Sequence, residues 1–259
     1  MIDLTPAPAG HCAVWWLGQS GFLISYGGEW LCFDPYLSDS LTRKYANTDK
    51  PHLRMKPLAV DPALLSFVDV ATSTHNHTDH LDAETLHAIR PKALVIPEAN
   101  RDFVAQRLGC DRAWPTGLAP GESTTIGAFE FHAVPAKHNE LTPECLGYVV
   151  RIAGGRFTIY HSGDTLLYDA MVDTLRPFRV DLALLPINGN KPERRVAGNL
   201  DTREAAWLAR QIGAKLVIPC HYDMFTFNTA DPADFVREAD ALGQEHRVMQ
   251  IGERIVLEV

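Results

Sequence analysis

Four side chains that can bind a metal ion lie within six positions of the chain: His75, His77, Asp79 and His80. They follow a short apolar run, residues 68–73, which is typical of a buried strand. Strand ends and the loops after them often hold binding residues. Imidazole and carboxylate groups are ligands of divalent ions such as zinc, iron, nickel and manganese. The spacing therefore predicts a metal site rather than a turn of solvated side chains.

Three more candidate ligands, His138, Asp164 and His221, also stand just after apolar runs. Each of them alone would be typical of a cap or of a surface position. Because all three follow strands, each could reach the same rim as the first four. The strands concerned are predicted over residues 129–134, 156–160 and 216–219.

This series resembles the motifs of the metallo-β-lactamase superfamily, which are H-x-H-x-D-H, a later His, G-D-T and P-x-H. The resemblance implies an α/β fold, an αββα sandwich of two packed mixed β-sheets with helices on the outer faces. It places the site at one edge of the two sheets. It also implies a role for each residue. The first metal ion would be bound by His75, His77 and His138, the second by Asp79, His80 and His221, and Asp164 would bridge them.

Within the superfamily the chain looks similar to the L-ascorbate-6-phosphate lactonase branch over nearly its whole length. The markers are WWLGQSGF at residues 15–22, YHSGD at 160–164, VDLALL at 180–185 and HYD at 221–223. Some lactonases of that branch lack a histidine at the position of His138. Its presence here favours a complete two-metal site and leaves the substrate open.

Two adjacent divalent ions can acidify a shared water molecule, so that hydroxide is available near neutral pH. We expect zinc first, with manganese or iron as alternatives. Asp79 could both bind metal and orient the attacking water. His161 is a candidate supporting residue three positions before Asp164, although a surface strand end is an equal alternative. No G-x-S-x-G or Walker sequence occurs, so metal-activated water is the predicted nucleophile.

The predicted substrate is a small, anionic molecule. Lys191, Arg194 and Arg195 follow the apolar run 182–186 and could hold a phosphate or carboxylate, with an ordinary solvated loop as the alternative. A second group of cations lies in a polar segment, residues 34–67, which is predicted to be a lid or mobile loop. Its members are Arg43, Lys44, Arg54 and Lys56.

The elements that must position these residues are short strands in both halves of one predicted domain, residues 1–259, with helices after them. The predicted helices span residues 82–89, 100–108, 202–212 and 232–241. The other predicted strands span residues 11–17, 21–26, 30–33, 93–97, 147–152, 248–251 and 254–259.

Composition narrows the function further. The 24 basic and 32 acidic residues give a net charge of -8, which argues against binding to nucleic acid or an anionic membrane. No apolar run is long enough to cross a bilayer. The five cysteines are odd in number and no export signal is recognisable, so we expect reduced thiols in a cytoplasmic protein. Assembly into a homo-oligomer is left open.

Four functions fit these observations. The leading one is hydrolysis of a small ester or lactone, including a phosphorylated sugar lactone. The alternatives are a phosphodiesterase of small nucleotide-type substrates, a di-iron redox protein and a non-catalytic, metal-stabilised binding protein. All seven ligand positions are filled, which argues against a degenerate site, and no flavin-binding domain follows, which argues against redox chemistry.

Overall fold

Two β-sheets form the centre of the structure, a computed structural model that describes residues 2–259. The first sheet has seven strands: β1 (His11–Gly18), β2 (Gly21–Tyr26), β3 (Glu29–Phe33), β4 (Val70–Thr72), β5 (Ala93–Pro97), β6 (Thr116–Leu118) and β13 (Arg254–Glu258). Their order is β13-β1-β2-β3-β4-β5-β6. The strands from β3 to β6 are parallel, whereas β13, β1, β2 and β3 pair antiparallel, so the sheet is mixed.

The second sheet has six strands: β7 (Ser123–Ile126), β8 (Phe129–Lys137), β9 (Leu141–Ile152), β10 (Phe157–His161), β11 (Leu182–Pro186) and β12 (Leu216–Cys220). Their order is β12-β11-β10-β9-β8-β7. The pairs from β10 to β12 are parallel and the others antiparallel, so this sheet is mixed as well. The two packed mixed sheets confirm the predicted fold class.

In the described part of the chain, six α-helices accompany the sheets: α1 (Ser40–Lys44), α2 (Ala83–Ile89), α3 (Arg101–Leu108), α4 (Met171–Leu175), α5 (Thr202–Ile212) and α6 (Pro232–Leu242). The buried residues of α2 and α3 pack with the outer face of the first sheet. Those of α4, α5 and α6 pack with the second sheet. Within residues 2–259, no helix combines the length and the apolarity that crossing a membrane requires.

Strand β1 shows why the first sheet is covered on both faces. Its residues Val14 and Trp16 contact the core between the two sheets, whereas Trp15 and Leu17 contact the core under the helices. Successive side chains of a strand point to opposite faces, so an unbroken apolar run requires cover on both. The sequence from Cys12 to Leu17 supplies that run.

Helix α5 was predicted with its observed limits, because both ends carry strong local signals. The Asp201 side chain accepts a hydrogen bond from the backbone N–H of Glu204, and the Glu204 side chain accepts one from the Asp201 N–H. This capping box satisfies two donors that the first helical turn would leave free. Gly213 ends the helix with a φ of 72°, a conformation that glycine adopts without strain.

The strand predicted over residues 248–251 is wrong. The segment that contains these residues pairs with β12 through a single bridge, between His246 and Val217. It then turns, and the Gly252 N–H donates to the carbonyl of Trp16, 2.7 Å away, at the start of the path into β13. The apolar residues Val248, Met249 and Ile251 pack in the core without joining a ladder. Their burial produced the strand-like pattern.

The polar segment 34–67 contains more structure than a loop. It carries α1 and a 3₁₀-helix, Pro62–Leu65. An isolated bridge joins Arg54 to Phe225, and the guanidinium of Arg54 lies 5.5 Å from the ring centre of Tyr36 and 5.7 Å from that of Phe225. The segment is therefore tied to the loop after β12. Its role as a lid stays a prediction.

Candidate metal centre

The seven predicted ligands come together at one edge of the sandwich, where several strands end. His75, His77, Asp79 and His80 follow β4. The three others follow β8, β10 and β12 and are His138, Asp164 and His221. The edge thus combines residues from both sheets, as the resemblance implied.

Within residues 2–259, three groups of nitrogen and oxygen donors at this edge are compact enough to hold a metal ion: the two triads described next, and a third group of His75, His80 and Asp164 that combines members of both. In the first triad, donor atoms of His75, His77 and His138 lie within 4.8 Å of one another. In the second triad, the same holds for Asp79, His80 and His221. These are the two sets that the resemblance assigns to separate ions.

Asp164 lies between the triads and is close to members of both. Its Oδ1 is 3.3 Å from Nε2 of His80, and its Oδ2 is 3.4 Å from Nε2 of His221. Oδ2 is also 3.8 Å from Nε2 of His138 in the first triad. The preceding residue, Gly163, has a φ of 57°, and a Cβ there would meet Thr74 Oγ1 at 2.5 Å. Glycine at this position allows the turn to bring Asp164 next to the β4 loop.

Two of the imidazoles are oriented by hydrogen bonds on the nitrogen that faces away from the cluster. Nδ1 of His80 is 2.7 Å from Oδ2 of Asp34, and Nδ1 of His138 is 3.2 Å from the carbonyl oxygen of Gly198. Both partners are acceptors, so the N–H must be on Nδ1. Nε2 is therefore the nitrogen that each ring can offer to a metal ion, which is the arrangement of a metal-binding histidine.

Asp34 is a supporting residue that the sequence interpretation missed. It follows β3, is fully buried and accepts hydrogen bonds from Thr72 Oγ1 at 2.8 Å and from the Thr74 N–H at 3.1 Å. The hydroxyl of Thr74 also donates to it. Because Asp34 contacts both β4 and His80, it fixes the start of the β4 loop relative to the cluster.

We expect Asp34→Asn to weaken metal binding by about tenfold to a hundredfold, since supporting carboxylates have effects of that size. The amide would turn an N–H toward the hydroxyl of Thr74 or the N–H of His80, both of which donate to Asp34 now. Competition with a chromophoric chelator measures the affinity. The control is Asp181→Asn, a buried carboxylate that accepts from the Thr158 N–H at the other end of β10. Equal losses in both variants would contradict a specific role for Asp34.

Buried polar atoms without a hydrogen bond show that the cluster suits a cation. Among residues 2–259 they include Nε2 of His75, which has no partner, and Nε2 of His80 and Oδ1 of Asp164, which lie 3.3 Å apart without hydrogen-bond geometry. Buried polar groups are rarely left unpaired, so such atoms need an explanation. Three imidazole or carboxylate donors around one point are the usual environment of a divalent ion, and the residues present fit it.

The protonation states agree with that interpretation. Burial and the neighbouring imidazolium of His80 lower the pKa of His75 well below its usual value, which keeps His75 in the neutral, ligating form. Burial also lowers the pKa of His80, but Asp164 and Asp79 outweigh it and raise that pKa well above its usual value. The carboxylates that retain a proton on His80 are the groups that would attract a metal ion in its place.

A cavity of about 100 Å³ opens over the cluster. Its floor includes His77, Asp79 and His138, and segment 34–67 contributes Lys44 and His52 to its walls. The apolar part of the wall is formed by Leu41, Tyr45, Val196, Ala197, Phe225 and Phe227. Among residues 2–259, Lys44 is the only lysine or arginine that lines this cavity.

The cations predicted after β11 lie beside the cavity rather than in its lining. Arg194 donates to the carbonyl oxygens of Asn188 at 2.7 Å and of Thr229 at 2.9 Å, which braces its own loop. Arg195 forms an ion pair with Asp49, and Lys191 is exposed. The loop does reach the cavity, but through Val196 and Ala197. A contact between these three cations and substrate stays a prediction.

His161 is also outside the lining of the cavity. Its side chain is fully buried, Nε2 donates to the carbonyl oxygen of Ser20 at 2.9 Å, and its ring stacks on Phe33 with 4.7 Å between ring centres. Burial lowers its pKa, so the ring is neutral. The structure places His161 in the packing beneath the cluster, so the surface alternative is wrong, and a catalytic or supporting role for His161 stays a prediction.

Comparison with known proteins places this geometry in a family. The model of the β-lactamase superfamily domain matches residues 29–222. A UPF0173 metal-dependent hydrolase of Rubrobacter xylanophilus is 30% identical over 95% of this chain and 97% of its own length. A UPF0173 metal-dependent hydrolase of Caldivirga maquilingensis is 28% identical over 90% of this chain and 92% of its own.

Among solved structures, Igni18, described as a novel metallo hydrolase from Ignicoccus hospitalis, superposes with a TM-score of 0.71. It is 24% identical, and the match covers 96% of this chain and 99% of that one, which shows a shared fold. The resemblance to the L-ascorbate-6-phosphate lactonase branch is a finer prediction that these relatives leave open. At the level they do define, the chain belongs to the β-lactamase superfamily and, within it, to the UPF0173 metal-dependent hydrolase family.

Proposed function

We propose that this protein is a hydrolase that uses two divalent metal ions to cleave a small ester or lactone. The observation that carries the proposal is the convergence of seven imidazole and carboxylate groups on two adjacent points, with unpaired buried donors among them. His75, His77 and His138 would hold one ion, and the second triad the other. Asp164 would contact both. Zinc is the first expectation, with manganese or iron as alternatives.

When bound, the ions would lower the pKa of water and stabilise negative charge on the carbonyl oxygen. The chain supplies the rest of the chemistry. Asp79 lies on the cavity floor, where its carboxylate can orient a water molecule and later carry its proton to the leaving oxygen. The apolar part of the wall would reduce the number of water molecules around the reacting carbonyl, which would strengthen the electrostatic contacts there.

The cavity limits the size and the charge of the substrate. A volume of about 100 Å³ fits a small acyl or lactone group rather than a polymer. Lys44 belongs to α1, and its ammonium donates to Oγ1 of Thr78 at 3.2 Å. Thr78 stands between the candidate ligands His77 and Asp79 in the sequence. An anionic group of the substrate, such as a carboxylate or phosphate, can pair with this ammonium while its carbonyl lies over the cluster. In a phosphorylated sugar lactone, the lactone group would occupy this volume and the phosphate would pair with the exposed ammonium of Lys44.

Turnover of a substrate panel tests the proposal. Metal-replete protein would be assayed on neutral and anionic lactones, on carboxylic esters and on small phosphodiesters, with chelated protein as the control. We expect hydrolysis of an ester or lactone that disappears on chelation and returns with added metal. Turnover restricted to phosphodiesters would replace the proposal with the phosphodiesterase alternative. Tight metal binding without any turnover would favour a binding protein.

Lys44→Ala should raise KM for an anionic lactone about twofold to fivefold, the effect of losing an exposed ion pair. Its kcat should change little, because the ammonium contacts a remote part of the substrate. Steady-state kinetics on matched anionic and neutral lactones measure the difference. Lys191→Ala and Arg195→Ala serve as comparisons, and a larger KM effect from them would move the anion contact to the loop after β11.

A further inference from the structure

Gln19 occupies the turn between β1 and β2, and its backbone is held in place against the second triad. Its carbonyl oxygen accepts a hydrogen bond from Nε1 of Trp16 at 3.1 Å and another from the His221 N–H at 2.9 Å. Its φ of 51° lies in the left-handed region, which residues other than glycine rarely adopt. The position is therefore fixed by contacts on two sides, and the side chain is 4% exposed.

The amide of this side chain points into the second triad. Its Nε2 lies 2.9 Å from Oδ2 of Asp79 and 3.0 Å from Nε2 of His221. Those two atoms are themselves 3.6 Å apart. The amide therefore forms a triangle with two of the three groups that would bind the second ion.

The triangle has the dimensions of neighbouring ligands around one ion. Ligands about 2.0–2.2 Å from a metal stand about 3.0–3.5 Å from each other in tetrahedral or octahedral arrangements. The amide carries a donor nitrogen and an acceptor oxygen on the same carbon, so a half-turn of its last bond exchanges them. With a cation in the second triad, its positive charge would favour the orientation in which the amide oxygen of Gln19 points toward it.

We propose that Gln19 is a further ligand of the second metal ion, through its side-chain amide oxygen. This inference rests on the proposed metal centre. It adds a neutral oxygen to the carboxylate and imidazoles of Asp79, His80 and His221, with Asp164 as the shared group. Five donors with three oxygens among them favour manganese or iron at this position over tetrahedral zinc, whereas the three imidazoles of the first triad suit zinc.

The competing role for Gln19 is that of a hydrogen-bond donor that only positions Asp79. Two substitutions of similar length separate the roles. Gln19→Glu keeps an oxygen ligand but loses the N–H, and it places a negative charge next to Asp79. Gln19→Leu removes both the oxygen and the N–H. Neither change alters the backbone carbonyl that holds Trp16 and His221.

The measurement is the affinity of purified protein for Mn²⁺ and Zn²⁺, by chelator competition and by the paramagnetic resonance spectrum of bound Mn²⁺. We expect Gln19→Leu to weaken the second ion at least about tenfold, and Gln19→Glu to bind it as tightly as the wild type or more tightly. The first ion should be unaffected in both variants. Thermal unfolding of the metal-free variants checks that the fold is intact.

If Gln19→Glu weakens binding of the second ion as much as Gln19→Leu does, the N–H of the amide is the important group, and the ligand role would be overturned. Unchanged affinity in Gln19→Leu would overturn it as well. If the wild-type protein binds only one ion, there is no second metal position. That result would overturn both this inference and the two-ion part of the proposed function. If two ions bind to every variant alike, only the role of Gln19 fails.

Discussion

Replacing His77 with alanine is expected to remove one of two metal ions and to lower turnover about a thousandfold. His77 is the most exposed member of its triad, whereas the side chain of His75 is buried, so the loss of the ring leaves no cavity in the core. A Lewis acid stabilises a transition state by several kcal/mol, and about 4 kcal/mol corresponds to a thousandfold. Elemental analysis and steady-state kinetics of the same preparation measure the two effects together.

The control for this variant is His11→Ala. His11 opens β1, at the opposite end of the strand from the turn that carries Gln19. It should leave metal content and kcat unchanged. Because His77 adds little to the packing, the unfolding temperature of the metal-free His77→Ala protein should stay within a few degrees of the wild type. Near-normal metal content together with near-normal activity would show that His77 is not a ligand.

The metal cluster could be predicted because its strongest signal is local. Residues 75–80 hold four candidate ligands in one turn, and an apolar strand precedes them, so position and chemistry could be read from one stretch of sequence. The same is true of α5, whose cap residues stand next to the apolar pattern they terminate. Both predictions can be made without knowing which strands lie beside each other in the fold.

Asp34 and Gln19 could not be found in this way, because their importance arises from sheet topology. Asp34 reaches His80 since β3 pairs in parallel with β4, with Leu31 opposite Val70. Nothing in residues 29–34 indicates which strand will lie beside them. Gln19 reaches the second triad only after the two sheets have packed. A signal did exist, because both residues follow apolar strands, but that signal is shared by many polar residues.

The predicted anion contacts show a second limit of sequence interpretation, which concerns the direction in which a loop side chain points. The loop after β11 was expected to face the cavity because it follows a strand, and it does so through Val196 and Ala197. Its arginines instead contact backbone carbonyls and Asp49. Whether a cation in a loop points toward a site depends on hydrogen bonds formed across the fold. Lys44 reaches the cavity because α1, a helix of five residues, carries it there.

Asp164→Asn should impair both metal positions at once, in contrast to His77→Ala. The side chain is 5% exposed, and its two oxygens approach nitrogens of His80 and His221 on one side and of His138 on the other. Burial raises its pKa, but His221 and His80 outweigh burial and lower it well below the usual value, so the group is a carboxylate. Removing one negative charge between two cations weakens both of them.

We expect each ion to bind at least about a hundredfold more weakly in Asp164→Asn, since the change removes the negative charge between the ions and replaces one of the two carboxylate oxygens with an NH2 group that cannot bind metal. Isothermal titration of metal-free protein measures both affinities. Asparagine has nearly the shape of aspartate, so the metal-free protein should keep its unfolding temperature, and Asp181→Asn again controls for the loss of a buried carboxylate. Full occupancy of one position would show that Asp164 serves a single ion.

The double variant His77→Ala/Asp164→Asn provides the sharper test of a shared ligand. If Asp164 contacts both ions, the first ion is already weakly bound in Asp164→Asn, and removing His77 should lower turnover little further. If Asp164 serves the second ion alone, the two losses concern separate positions and should multiply. The comparison of single and double variants measures this coupling directly. Losses that multiply fully would contradict a bridging role, even when both single variants lose metal.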